Sequence, residues 1–349
     1  MIMISQELQF RMNTKQENID IVIPWVDPTD PVWQKEHKFM AESEGIIIAD
    51  DSDARYRDWD IIKYFFRSVD KCMPWVRKIH FVTYGHIPEW LNTESAKLHI
   101  VKHSDFIPKE YLPTYSSHTI ELNMHRIEGL AEQFIYFNDD IVVLRKLKPS
   151  YFFKHGLPCD YAVLYPLISD HRYSAMDIAL TDIEIVNDYY SPRESIKSNP
   201  LKWFNPKYGV HNLQNFFMLP WPRFSHLYGK HLCNSFLKTT FEEVWSKEQE
   251  VLNDTCSHHF RTKRDINQWV MREWQLAKGS FYPTSPKRGQ YYGIKNNNSI
   301  LLDDIRKRKY KIVCINDNNA EPIIDFEKTK KEITDALEDV FPEKSSFEK

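Results

Sequence analysis

The segment Phe134-Ile-Tyr-Phe-Asn-Asp-Asp140 constrains this chain more than any other. Four apolar, β-prone residues make a buried strand, and two adjacent carboxylates stand where that strand must stop. Ligands of open α/β sheets bind outside the carboxyl ends of the strands, so the carboxylate pair lies at the usual edge of a site. Paired carboxylates there suit a hard divalent cation, and such a cation most often holds substrate phosphates. The first expectation is a site for a nucleotide diphosphate. Strand side chains alternate faces, so one of Asp139 and Asp140 points into the cleft, and Asp140 is the better candidate. The bland alternative is a turn cap, a common duty of Asp at strand ends.

Strand and helix patterns alternate around this segment. Residues 19–26 read as a first strand, closed by the turn-rich Asp27-Pro-Thr-Asp30-Pro31. Residues 58–71 carry a helical stripe of Trp59, Ile62, Phe66 and Val69, and residues 78–83 and 98–102 read as two more strands. Ser116-Ser117 can cap a helix running to about Gln133, with Ile120, Met124, Ile127 and Ala131 on its apolar face and Glu121, His125 and Glu128 on the other. Such alternation with short connections predicts a mostly parallel, doubly wound sheet.

The second half is less regular. Residues 151–219, rich in Pro, Asn and aromatics, read as long loops over the cleft. Helices are expected over 241–252, 265–278 and 328–341, and a strand over 309–315 that stops at Asn316-Asp317. Residues 1–17 read as a loose leader, and no Gly/Ser linker divides 18–349, so one catalytic domain is expected there.

Composition excludes some classes. A formal net charge of −3 argues against nucleic-acid binding, which needs a broad basic field. The 5 cysteines are scattered without a CxxC pair, which fits reduced thiols in a cytoplasm better than disulfides or a zinc site. No secretion signal and no run of roughly 20 apolar residues is evident, so a cytoplasmic protein is expected.

Other candidates stand beside their bland readings. Glu121, near a helix start, is stabilised by the macrodipole whether or not it works. Asp27 and Asp30 suit Asx turns, yet the loop after a first strand is also where nucleotides sit. Arg57 near a helix N-terminus opposes the dipole and so is placed to face an anion. His226, His231 and Arg261 do not rise above structural roles on composition alone, and Asn316-Asp317 is a turn signal first.

Taken together, several segments resemble the Stealth family of sugar-phosphate transferases. The family includes bacterial capsular polysaccharide phosphotransferases and the eukaryotic N-acetylglucosamine-1-phosphotransferase that tags lysosomal enzymes. The resemblance begins with Ile19-Asp-Ile-Val22, Trp25-Val-Asp27 and Asp30-Pro31. It continues through Arg57-Asp-Trp-Asp60, Pro74-Trp-Val-Arg77, Val82-Thr-Tyr-Gly85, Leu112-Pro-Thr-Tyr-Ser-Ser117, Glu121, His125-Arg-Ile-Glu-Gly-Leu130 and Phe137-Asn-Asp-Asp140. A looser block spans about 231–269, and Cys314-Ile-Asn-Asp317 and Ser346-Phe-Glu348 close the match.

This resemblance implies a Rossmann-like (GT-A-like) α/β fold with a helical, loop-rich lobe. It implies transfer of a hexose- or N-acetylhexosamine-1-phosphate from a UDP-sugar to a hydroxyl of an oligosaccharide or polysaccharide acceptor, with release of UMP. The family's catalytic residues fall on Glu121, Asp140, His231 and Arg261, with His226 the alternative for the histidine. Asp140 would hold Mg²⁺ or Mn²⁺, and Asp27, Arg57, Asp139, Asn316 and Asp317 would line the donor site. His231 or Glu121 would take the acceptor proton; the sequence does not choose between them. Contact with the inner face of the membrane and with capsule-assembly proteins is a further implication, although no basic amphipathic helix is evident. The rival readings are a metal-dependent glycosyltransferase that releases UDP, and a module that binds a UDP-sugar without turning it over.

Overall fold

The computed structural model describes residues 18–45, 57–168, 176–317 and 321–349. The proposed leader therefore lies outside the described residues. The main sheet has five strands in the order β3-β2-β1-β4-β8. They are β1 (Ile19–Trp25), β2 (Ile79–Thr83), β3 (Leu98–Lys102), β4 (Gln133–Tyr136) and β8 (Asn234–Leu237). The pairings β1–β2, β2–β3 and β1–β4 are parallel, whereas β8 joins β4 antiparallel at the edge. The expected α/β class with a mostly parallel sheet is the observed one.

Strand alternation divides the core in two. Ile19, Ile21 and Ile23 of β1, with Ile79, Phe81, Ile135 and Phe137, enter one apolar cluster, which the helices Ile61–Cys72 and Phe326–Val340 cover. Val22, Val82, Phe134 and Tyr136 face the opposite cluster, with Phe241, Val270 and Trp274. Each fully buried phenylalanine contributes roughly 1.5–3 kcal/mol of burial free energy. Sheet burial on both faces explains why the strands read as near-continuous apolar runs.

A second sheet, β10-β11-β5, consists of β10 (Gln290–Gly293), β11 (Ile312–Asn316) and β5 (Ile141–Val143). The chain leaves the main sheet at Phe137 and enters the second at Ile141, so Asn138, Asp139 and Asp140 form the corner between the two. Hydrogen bonding locks that corner: the Ile315 amide donates to the Asp140 carbonyl at 2.8 Å, and Cys314 lies opposite Ile141. A small third sheet pairs β6 (Phe153–Lys154), β7 (Leu157–Asp160) and β9 (Tyr282–Pro283). The C-terminal segment is clamped by Arg67, whose buried guanidinium donates to both oxygens of Glu348 at 2.9 Å and to the Phe341 carbonyl at 2.7 Å.

Two sequence expectations fail here. The helix begun at Ser117 ends at Asn123, tightens into a 3-10 turn over Met124–Arg126, and does not reach Gln133. Gly129 takes a φ of +71°, which turns the chain back toward β4, and His125 is buried rather than lying on an open face. Residues 176–218 are largely helical rather than looped, with helices Met176–Tyr189, Pro192–Ser198, Pro200–Trp203 and His211–Met218. The prolines that suggested loops begin two of these helices, where a missing N–H costs nothing.

Candidate active site

Three distant segments meet at Asp140. Its Oδ2 accepts from Asn316 Nδ2 at 2.8 Å and from the Cys314 thiol at 3.2 Å, and lies 3.7 Å from His231 Nε2. Its Oδ1 is buried and has no hydrogen-bond partner. His231 Nε2 is also 3.0 Å from Asn138 Nδ2, and its ring meets Tyr291 edge-on. Tyr291 in turn donates to Asn316 Oδ1 at 3.0 Å. Gly229, Lys230, His231, Gln290, Tyr291 and Asn316 line an open cleft of about 490 Å³ beside these groups.

Electrostatics separates the two corner aspartates. Burial raises the proton affinity of Asp140, but His231, Asn316 and Cys314 outweigh it and hold the carboxyl below its usual range. Asp139 stands at the exposed lip with no such donors. Crowding by the surrounding protein, then the charges of Asp140 and Asp58, push it up to about 7. Asp58, raised by burial and by the charges of Asp60 and Asp27, links the Asp27 loop electrostatically to this corner.

The remaining candidates fall into two neighbouring groups. Glu121 is buried, accepting from the Tyr136 hydroxyl at 2.9 Å and from the Gln268 amide at 3.3 Å, and its charge reaches His231. Arg261 is exposed and donates to Ser117 Oγ at the start of the Glu121 helix; its charge reaches Tyr136. On the far side, Arg57 lies 3.5 Å from Asp317, which also accepts from the Trp59 indole at 3.2 Å. Asp27 accepts from the Thr29 amide at 2.8 Å, as an Asx turn does, and Asp30 caps the helix Pro31–Ser43 through the Trp33 amide. His226 lies 3.0 Å from the buried Glu273, so the histidine facing Asp140 is His231.

Sequence reasoning missed Asn138, Tyr291 and Cys314 as site residues. Asn138 was visible inside the Asn-Asp-Asp run, and Cys314 beside Asn316. Tyr291 carried no local signal.

A divalent cation fits this corner. The free Oδ1 of Asp140 is an anionic oxygen without a donor, and Asp140, His231 and Cys314 bring ligand atoms within 4.8 Å of one another. Burial and both aspartates hold the Cys314 thiol well above its usual range, so it serves Asp140 as a donor.

Comparison with known proteins places the chain in a family. Three family models match: Stealth protein CR1, conserved region 1, over residues 17–41; CR2, conserved region 2, over 55–159; and CR4, conserved region 4, over 303–349. The capsular polysaccharide phosphotransferase WcwK of Streptococcus pneumoniae is 42% identical over 95% of this chain and 98% of its own length. The exopolysaccharide phosphotransferase cps2G of Lactiplantibacillus plantarum is 34% identical over 95% and 96%. The receptor polysaccharide phosphotransferase WefC of Streptococcus oralis is 36% identical over 95% and 99%. Among solved structures, the galactosyltransferase LgtC with donor and acceptor sugar analogues aligns over 91% of this chain and 95% of its own, at 11% identity and a TM-score of 0.40. Among the described residues, no helix is long and apolar enough to cross a membrane.

Proposed function

Because the chain belongs to the Stealth family of polysaccharide phosphotransferases, we propose that it moves a sugar 1-phosphate from a UDP-sugar to a hydroxyl of an acceptor glycan, releasing UMP. The product is a phosphodiester link in a bacterial capsular or other cell-surface polysaccharide. The observation that carries this reading is the half-satisfied carboxylate of Asp140, with His231 across the same cleft.

The acceptor oxygen attacks the β-phosphorus of the donor in line. The bond from that phosphorus to the bridging oxygen breaks, and its electron pair leaves with UMP. Such a reaction depends on alignment and charge neutralisation more than on covalent help from the protein. A divalent cation held by Asp140 would supply that neutralisation. Asn316 and Cys314 hold the Asp140 carboxylate through Oδ2, and Oδ1 has no hydrogen-bond partner among the described residues.

His231 takes the acceptor proton. Its side chain is 41% exposed to the cleft, whereas Glu121 is buried with an oxygen committed to Tyr136 and the other to a backbone amide. Asp140 and Glu121 stabilise the imidazolium that results. Arg261, exposed beside Ser117, is assigned to pair with a phosphoryl oxygen on donor entry.

The test is product identity. Purified enzyme is incubated with Mn²⁺, a panel of UDP-sugars and an oligosaccharide acceptor, and nucleotides are separated by ion-exchange chromatography. UMP released in step with a phosphodiester product supports the reading. UDP release would assign a glycosyltransferase, and no nucleotide product across the panel would assign a binding module.

A further inference from the structure

Beside the cleft lies a second, narrower crevice that the mechanism does not use. It is lined in part by Asp160, Lys230, Cys233, Arg272 and Arg288, with free space of about 20 Å³, room for one water-sized group. Lys230 lines both the crevice and the cleft, so the two adjoin.

The crevice carries surplus positive charge. Arg272 is buried and spends Nε and Nη2 on a bidentate pair with Asp160, both at 2.8 Å. Its Nη1 has no hydrogen-bond partner and lies under Gly229, 3.2 Å from where a Cβ would stand, at the boundary with the cleft. Arg288 donates Nη2 to the Tyr151 carbonyl at 2.8 Å, and its Nη1 is likewise buried without a partner. Lys230 Nζ reaches only the Gly289 carbonyl, at 3.3 Å. Three cations line the crevice with one carboxylate, Asp160, and the charge of the buried Glu273 also reaches Arg272. Burial pushes Cys233 and Tyr161 up to about 12, so neither offsets that charge near neutral pH.

Leaving a buried donor unmet is costly, and more so when the donor is charged. Two buried guanidinium nitrogens without a hydrogen-bond partner, on arginines that line the crevice, therefore call for an acceptor. We propose that this crevice is an oxyanion subsite, taking one oxygen of a carboxylate or phosphate whose carrier lies in the cleft. The free space admits the tip of such a group and excludes its body, which rests against Lys230 and the Gly229 backbone. Gly229 is required there, because a Cβ would stand 2.3 Å from the Trp269 ring and close the approach. Two carriers offer this chemistry: an anionic substituent on the acceptor glycan, or the diphosphate of the donor. The subsite takes its purpose from the phosphotransferase reading, yet its binding can be measured without turnover.

The experiment uses inorganic phosphate as the probe. Thermal unfolding of the full chain is followed against phosphate concentration at constant ionic strength, for the wild type, Arg288→Gln and Lys230→Gln. A saturable rise in Tm of about 2 °C at ten times the apparent Kd is expected for the wild type. Each substitution should weaken that apparent Kd about tenfold. Arg272 is left intact because its pairing with Asp160 is structural. Repeating the titration with saturating UDP identifies the carrier. A rise that persists means an acceptor-borne anion, and a rise that vanishes means the donor diphosphate. An equal response in all three proteins, or none that saturates in the wild type, overturns the subsite whatever the product assay returns.

Discussion

Two aspartates at opposite edges of the main sheet show how one residue type serves two purposes. Asp20, at the amino end of β1, is fully buried and saturated with donors. Arg77 grips both its oxygens, His80 Nε2 lies 3.0 Å from Oδ2, and the Ala131 amide donates to Oδ2 at 2.8 Å. Its carboxyl is held below the usual range despite burial. Asp140, at the carboxyl end, has donors on one oxygen and none on the other. The lesson is one of capacity. A carboxylate whose lone pairs are all spent ties elements together, and one left half-open at a sheet's carboxyl edge can still bind something.

Substitutions at the two positions should therefore fail differently. Asp140→Asn should lower transfer by about 10³-fold, the scale of losing a preorganised electrostatic contact, with Tm within about 2 °C of the wild type. Comparable losses of stability and activity would remove the contrast. Asp20→Asn leaves Arg77 and His80 facing an amide and should cost about 3–5 kcal/mol in urea unfolding. A variant as stable as the wild type would show that the Asp20 pairing ties nothing together. Asn316→Ala removes one of the two donors on Asp140 Oδ2, leaving Cys314, and sharpens the comparison, since it weakens orientation without removing charge. An activity loss of about 10–100-fold is expected from steady-state kinetics.

A smaller effect separates both aspartates from two buried histidines. His103 and His125 each bury an Nδ1 without a hydrogen bond, and burial pushes them down to about 4 and about 3. The unfolded chain then binds more protons than the folded one below pH 6.5, so stability falls as pH drops from there toward 4. At pH 5 the loss is about 2 kcal/mol per histidine. Replacing His125 by Phe, beside Phe241 and Trp245, should flatten that slope in denaturant unfolding at pH 7 and pH 5. An unchanged slope would show that His125 does not titrate on unfolding.

The same contrast explains what the sequence could reveal. β1 and β2 were legible because strands buried on both faces write nearly continuous apolar runs, whereas β3 is a partly exposed edge strand. The Asp140 corner was legible because carboxylates adjoin such a run. The helix from Ser117 was overestimated because its apolar spacing continues past Asn123, whereas tertiary packing and Gly129 turn the chain there. His231 and Asp140 were paired by family resemblance, since no local spacing joins positions so far apart. Cys314 and Tyr291 reach the site through the pairing of β11 with β5 and β10, which is a long-range property of the sheet.

The central claim is that the open oxygen of Asp140 holds a divalent cation for a diphosphate. Mn²⁺ binding by electron paramagnetic resonance tests it most directly, with wild type and Asp140→Asn each measured with and without UDP. The wild type should bind one Mn²⁺ more tightly when UDP is present, and the variant should lose at least tenfold in affinity. Equal Mn²⁺ affinity in a folded Asp140→Asn protein would contradict the claim.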